Sequence, residues 1–190
     1  VFEEYLKQNM DIVYIGCSSK QSGSVNTGFV TAKKLMEKYE GRKIRIIDTL
    51  GASLGEGFLA MRGVECREKG MSFEETADYL DELRHRVFNV FTVEDLMHLK
   101  RGGRLSPLSA VLGTVLNIKP ILKGNEDGKI VAYAKIRGRK KVINVLAEKY
   151  DAFVRNPDQQ TVCISHCDCP EEAEYLKELI MRNNPPRDVL

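Results

Sequence analysis

The residues best placed to do chemistry lie in one short stretch, Ser18-Ser19-Lys20-Gln21-Ser22-Gly23-Ser24. It follows an apolar run, Asp11 to Gly16, that has the character of a strand buried on both faces. It precedes a helical pattern, Val25 to Tyr39. Where a parallel strand leads into a helix, unpaired backbone N–H groups gather at the positive end of the helix dipole. Open α/β sheets bind anions at that place. Each hydroxyl there has one hydrogen to donate, and Gly23 allows close backbone approach. Ser18, Ser19, Ser22 and Gly23 are therefore candidate ligand-binding residues for a carboxylate or a phosphate. The same serines would also serve a helix cap and a turn, and the residues alone do not choose between the two readings. The stretch lacks the Walker pattern and the second glycine of a nucleophile elbow. The three histidines, His85, His98 and His166, are all distant in sequence, so no serine has an obvious base and no catalytic residue is expected.

Two basic clusters are weaker candidates for contact with a partner or a phosphate. Arg101 and Arg104 flank Gly102-Gly103, and Arg137 and Arg139 lie in Arg137-Gly-Arg-Lys-Lys141. The first also reads as a helix end where cations offset the dipole, the second as a solvated helix start. His166-Cys-Asp-Cys169 has zinc-ligand residue types but no second pair at finger spacing, so no metal is expected. Cys17 beside the serines has the chemistry of a nucleophile, though a small buried thiol at a strand end is the more ordinary case.

The elements that must position these residues follow from the hydrophobic pattern. A short helical run, Val1 to Asn9, precedes the first strand. Lys43 to Ile47 is a second strand and Gly51 to Lys69 a long helix stopping at Gly70. Ser72-Phe-Glu-Glu75 is a capping box that opens a helix running to about Arg86. Alternating strands and helices imply a parallel sheet with crossover helices. The pattern then changes. A strand over Phe88 to Val93 and a short helix over Glu94 to Lys100 lead to a helix start at Ser106-Pro107. Strands Asn117 to Lys123 and Lys129 to Ile136 flank the turn Asn125-Glu-Asp-Gly128, which predicts a hairpin. An amphipathic helix over Arg137 to Arg155, a strand over Thr161 to Ser165 and a helix over Pro170 to Met181 complete the chain. The apolar residues Leu96, Leu99, Val111, Leu112, Val115, Leu116, Ile118, Ile121 and Leu122 read mostly as core, with some of them candidates to line a slot between two domains. The fold class is α/β in two domains: residues 1–86, a parallel-sheet α/β domain carrying the serine-rich loop, and residues 87–190, an α+β domain with an antiparallel sheet.

Composition bounds the function. Lys and Arg number 29 against 27 Asp and Glu, a net charge of +2, which argues against a protein that wraps nucleic acid. The longest uncharged stretch, Leu105 to Ile118, is too short and too polar to span a bilayer. No signal-peptide pattern is seen. Five cysteines, an odd number, read as reduced thiols in a cytoplasmic protein. The chain begins with Val1, and Asn183 to Leu190 look like a connection, so a piece of a longer protein is expected.

The chain resembles the DegV family. The motifs are Cys17-Ser-Ser-Lys-Gln-Ser-Gly-Ser24, Ile47-Asp-Thr49 with Ser53-Leu-Gly-Glu-Gly57, and Leu99-Lys-Arg-Gly-Gly-Arg-Leu-Ser106. Leu116-Asn-Ile-Lys-Pro-Ile-Leu122, Asp127-Gly-Lys, Lys135-Ile-Arg137 and Lys140-Lys141 follow in order. The resemblance covers about Asp11 to Arg182. It implies two α/β domains with a long-chain fatty acid bound between them, the carboxylate held by hydroxyls of the serine-rich loop. It also implies a possible partner, a separate ATP-dependent kinase subunit that makes the acyl phosphate, and no cofactor. On this reading Ser18 or Ser19 is the first choice for the head group. Gln21 and Ser24 stand where the family pattern has Leu and Thr, and Thr49 where it has Ser. The family's N-terminal strand and C-terminal segment, with the head-group ligands they carry, lie outside the chain. The rival expectation is a phosphotransferase or hydrolase acting on a small phosphorylated substrate.

Overall fold

The computed structural model describes residues 1–105 and 118–190. The chain divides into two compact units, Val1–Phe88 with Gly124–Lys129, and Asn89–Lys123 with Ile130–Leu190.

In the first unit, strands β1 (Ile12–Gly16) and β2 (Ile44–Asp48) pair in parallel, with Ile12 opposite Ile44 and Gly16 opposite Asp48. Because successive side chains in a strand point to opposite faces, the continuous apolar run of β1 serves two cores. Ile12 and Tyr14 pack with Val25, Ala32, Ile44 and Ile46 against α1 (Phe2–Leu6) and α2 (Ser24–Lys38). Val13 and Ile15 pack with Ile47, Leu59 and Leu80 against α3 (Leu54–Glu68) and α4 (Phe73–Leu83). The result is a parallel sheet with helices on both faces, as the strand–helix alternation predicts. Gly16 lets β1 and α2 approach closely, since a Cβ there would lie 2.7 Å from Val25 Cγ2. The capping box of α4 is formed: Ser72 Oγ accepts from the Glu75 amide, and the Glu75 carboxylate accepts from the Ser72 amide. Gly70 closes the end of α3 at φ +74°.

The helix expected from Gly51 begins only at Leu54. Side chains of Asp48 and Thr49 bind the backbone of Leu50 and Gly51, and Leu50 and Ser53 both sit at φ +54°. These local bonds compete with the helix and delay its start.

The second unit is built on a three-stranded sheet of β3 (Val90–Thr92), β4 (Ile118–Gly124) and β5 (Ile130–Arg137), in that order. β3 and β4 run antiparallel, with Phe91 opposite Leu122. β4 and β5 form the expected hairpin, whose turn residues Gly124–Lys129 group with the first unit. Ile121, Val142 and Ile143 form the core with Tyr133, Leu176 and Leu179, so α6 (Arg139–Phe153) and α7 (Pro170–Asn183) pack against the sheet. A short helix, α5, spans Met97–Arg101. The strand expected over Thr161 to Ser165 is shorter, and it pairs in parallel with a strand over the chain's last residues. These are β6 (Thr161–Val162) and β7 (Asp188–Val189). Two-residue strands show no period, which is why β7 reads as a connection in the sequence. The helix start expected at Ser106-Pro107 and the apolar residues Val111 to Leu116 lie outside the described residues.

Candidate functional site: a serine loop tied to two strand ends and a turn

The serine loop leaves β1 and enters α2 as expected, and the four candidate residues have distinct surroundings. Ser18 is fully buried. Its amide donates to the Gly51 carbonyl at 2.8 Å, and its hydroxyl donates to the Gly128 carbonyl at 2.8 Å. Ser18 Oγ also accepts from the Lys20 amide at 3.2 Å. A hydroxyl has a single hydrogen, and that of Ser18 is already given. Ser19 is half-buried; its amide points between the two carboxylate oxygens of Asp48, 3.3 Å from each, and its hydroxyl makes no hydrogen bond among the described residues. Ser22 Oγ donates to Ser24 Oγ at 3.0 Å and accepts from the Ser24 amide at 3.2 Å, at the head of α2. Gly23 is exposed at φ −77°, with open space where a Cβ would stand. Its own conformation does not require glycine.

The end of β2 organises the loop. Thr49 Oγ1 donates to the Gly16 carbonyl at 2.9 Å and so staples the two strand ends together. Asp48 Oδ1 accepts from the Leu50 amide at 3.0 Å as well as from Ser19, which directs its charge onto backbone donors. Arg84 Nη1 donates to the Asp48 carbonyl at 3.0 Å. Gln21 Nε2 donates to the Gly128 carbonyl at 2.8 Å, beside the Ser18 hydroxyl. Gln21, Asp48, Thr49 and Gly128 thus shape the loop, though the sequence reading gave none of them that role. The one signal was the recurrence of Asp48-Thr49 and Asp127-Gly128 in the family motifs.

The four arginines belong to the second unit. Arg101, Arg104 and Arg137 are exposed. Arg101 Nη2 lies 3.5 Å from His98 Nδ1, and Arg104 reaches the Gly102 carbonyl. Arg139 is the exception. Its Nε lies 2.8 and 2.9 Å from the two Glu172 carboxylate oxygens, its Nη2 completes the fork, and its Nη1 is 3.9 Å from Glu94. The bond to Glu172 pushes the Arg139 guanidinium up, and Arg139 holds the Glu172 carboxyl below its usual range. This pair ties the start of α6 to the start of α7. It also explains how α6 tolerates a cation at its N-terminus.

His166 Nδ1 accepts from the Cys169 amide at 3.2 Å, which makes the His-Cys-Asp-Cys segment a local turn. Among the described residues no cluster of three or more His, Cys, Asp or Glu could hold a metal ion, and none of the five cysteines forms a disulfide. No helix among them is long and apolar enough to cross a membrane. An open groove of about 570 Å³ on the first unit is lined by Phe29, Met36 and Ile44 with Lys33, Arg45 and Arg84. It contains none of the candidate residues.

A family model described as "Uncharacterised protein, DegV family" matches residues 1–189. A DegV domain-containing protein of Clostridium perfringens is 40% identical over 189 residues, covering 100% of this chain and 65% of the relative. The chain belongs to the DegV family and spans about two thirds of the length of the curated relatives it matches. Among solved structures, a DegV family protein from Thermus thermophilus, described by its fatty acid binding, aligns at a TM-score of 0.87. It is 29% identical, over 100% of this chain and 66% of that one. The Fatty Acid Kinase B3 protein of Streptococcus pneumoniae, loaded with linoleic acid, aligns at a TM-score of 0.85. At 22% identity, over 98% of this chain and 67% of that one, it shares the fold.

Proposed function

We propose that this chain binds a long-chain fatty acid, with the carboxylate held at the serine loop and Ser19 as its principal hydroxyl donor. The observation that carries the reading is the division of labour in the loop. The Ser18 hydrogen is committed to Gly128 and the Ser22 hydrogen to Ser24, while the half-buried Ser19 hydroxyl makes no hydrogen bond among the described residues. A donor held ready at the end of a parallel strand, by the start of a 15-residue helix, matches a carboxylate in charge and geometry. The Thermus relative, alike along the whole chain, supports the ligand class.

The energetics divide between tail and head. Each methylene removed from water contributes about 0.8 kcal/mol, so the acyl chain supplies most of the affinity. The carboxylate loses hydration and needs charge-assisted hydrogen bonds in return. The protein then acts as a cytoplasmic carrier rather than an enzyme. A separate ATP-dependent kinase subunit supplies the chemistry: a carboxylate oxygen attacks the γ-phosphorus of ATP, the bond to ADP breaks, and an acyl phosphate forms. Arg101, Arg104 and Arg137 are the exposed cations offered to that partner, and Arg139 is held back by Glu172. The family resemblance in the motifs supports this partner.

The test is a titration with cis-parinaric acid, a fluorescent fatty acid, and its displacement by oleate. Ser19→Ala weakens binding about tenfold, the loss of one charge-assisted hydrogen bond. Equal affinity in Ser19→Ala removes the hydroxyl from the site.

A further inference from the structure

The carbonyl of Gly128 accepts two side-chain hydrogen bonds, from Ser18 Oγ and from Gln21 Nε2, each at 2.8 Å. A carbonyl oxygen has two lone pairs, and both are used. The donors stand three residues apart and bracket Ser19 and Lys20. The same glycine is constrained independently by space and by backbone. A Cβ at position 128 would lie 2.3 Å from Ser18 Oγ and 3.0 Å from Leu50 Cα, and φ is +82°. The turn itself is fixed from within, by the Gly128 amide on the Asn125 carbonyl at 2.9 Å and the Lys129 amide on Asn125 Oδ1 at 2.8 Å. A rigid turn therefore presents one carbonyl to the serine loop.

We infer that Gly128 is a positioning residue of the head-group site: its carbonyl anchors the loop on both sides of Ser19, and Ser18 and Gln21 are ties rather than ligands. This rests on the fatty-acid reading above and adds to it the part that sets the donor's direction. It also gives a role to Gln21, whose side-chain amide supplies the second tie. The anchor works without touching the ligand. It removes freedom from the Ser19 hydroxyl before the carboxylate arrives, and preorganisation of this kind raises affinity by lowering the ordering cost of binding.

The experiment is a double-mutant cycle in the 190-residue chain: wild type, Ser18→Ala, Gly128→Ala and the double variant, with Gln21→Leu beside them. Two readouts are taken, cis-parinaric acid affinity and amide hydrogen exchange of residues 18–22. Gly128→Ala is expected to weaken binding about tenfold. The double variant binds about threefold or more tighter than Gly128→Ala, because removing Ser18 Oγ relieves the nearest clash. Gln21→Leu keeps the bulk, folds as the wild type does, and speeds exchange across residues 18–22 while elements outside the loop exchange as before. Losses in Ser18→Ala and Gly128→Ala that simply add in the double variant mean that the two residues do not act through one bond, and overturn the anchor. Unchanged exchange in Gln21→Leu does the same. If the wild type fails to bind cis-parinaric acid, the fatty-acid reading falls, and the exchange cycle still decides whether Gly128 holds the loop.

Discussion

Ser18 Oγ donates to the carbonyl of Gly128 at 2.8 Å, joining residues 110 positions apart in the chain. The bond is wholly buried on the Ser18 side, and the first serine of the loop thereby becomes part of its frame. The hydroxyl of the next residue, Ser19, makes no hydrogen bond among the described residues. Two adjacent serines of the same chemistry thus take different tasks because one hydrogen is spent and the other is not.

Asp48 is the other half of that frame. Replacing it with Ala removes a charged acceptor from the amides of Ser19 and Leu50. Leu50, at φ +54°, loses the bond that steadies its unfavourable backbone. The expected cost is about 2 kcal/mol of stability, with weaker fatty-acid binding. Urea unfolding measures it, and a change within about 0.5 kcal/mol would contradict the role.

Arg139 and Arg137 separate structure from docking. Arg139→Ala leaves Glu172 without its fork and lowers stability by about 1 kcal/mol, intermediate between exposed and buried pairs. Arg137→Ala, on an exposed side chain, leaves the unfolding midpoint unchanged. Equal midpoints for both variants would contradict the assignment.

The capping box gives a local prediction. Ser72→Ala removes the acceptor for the Glu75 amide and leaves only the half of the box in which the Glu75 carboxylate accepts from the backbone amide of residue 72. A loss of about 1 kcal/mol is expected in urea, with little effect on ligand affinity.

Acid sensitivity follows from Glu3. Hydrogen bonds from the Lys38 ammonium at 2.6 Å and then the Tyr39 hydroxyl at 2.8 Å hold its carboxyl at about 2, against an ordinary 4.5. A depressed folded value means that the pair stabilises the protein above the ordinary carboxylate range. That contribution is lost as pH falls through about 2. The Tm gap between wild type and Glu3→Gln is therefore full at neutral pH and closes between pH 4.5 and 2. A gap that is constant with pH would contradict the ion pair.

Much of this architecture was legible in the residues. The run of apolar side chains in Ile12–Ile15 marked a strand with a core on each face, and both cores are there. Ser72 with Glu75, and Gly70, marked helix ends by local chemistry, and local chemistry is what sequence spacing records. The hairpin turn was visible from Asn125 to Gly128 for the same reason. Its bond to Ser18 was not, because nothing in spacing tells a carbonyl which distant hydroxyl it will meet. The sequence left Ser18 and Ser19 level for the same reason, since spacing shows neither hydroxyl's partners. The late start of α3 escaped for a related reason, since the side chains of Asp48 and Thr49 divert the backbone that helix periodicity alone would continue. Asp188 and Val189 form a strand too short to carry a pattern.

The central claim is that Ser19, not Ser18, meets the carboxylate of a bound fatty acid. The most direct test compares oleate with oleyl alcohol, which keeps the tail and removes the charge, on wild type, Ser18→Ala and Ser19→Ala. Wild type should prefer oleate by about tenfold. Ser19→Ala should erase that preference while keeping the alcohol's affinity, and Ser18→Ala should weaken both ligands without erasing it. A preference that survives in Ser19→Ala, or one that vanishes in Ser18→Ala alone, would contradict the account.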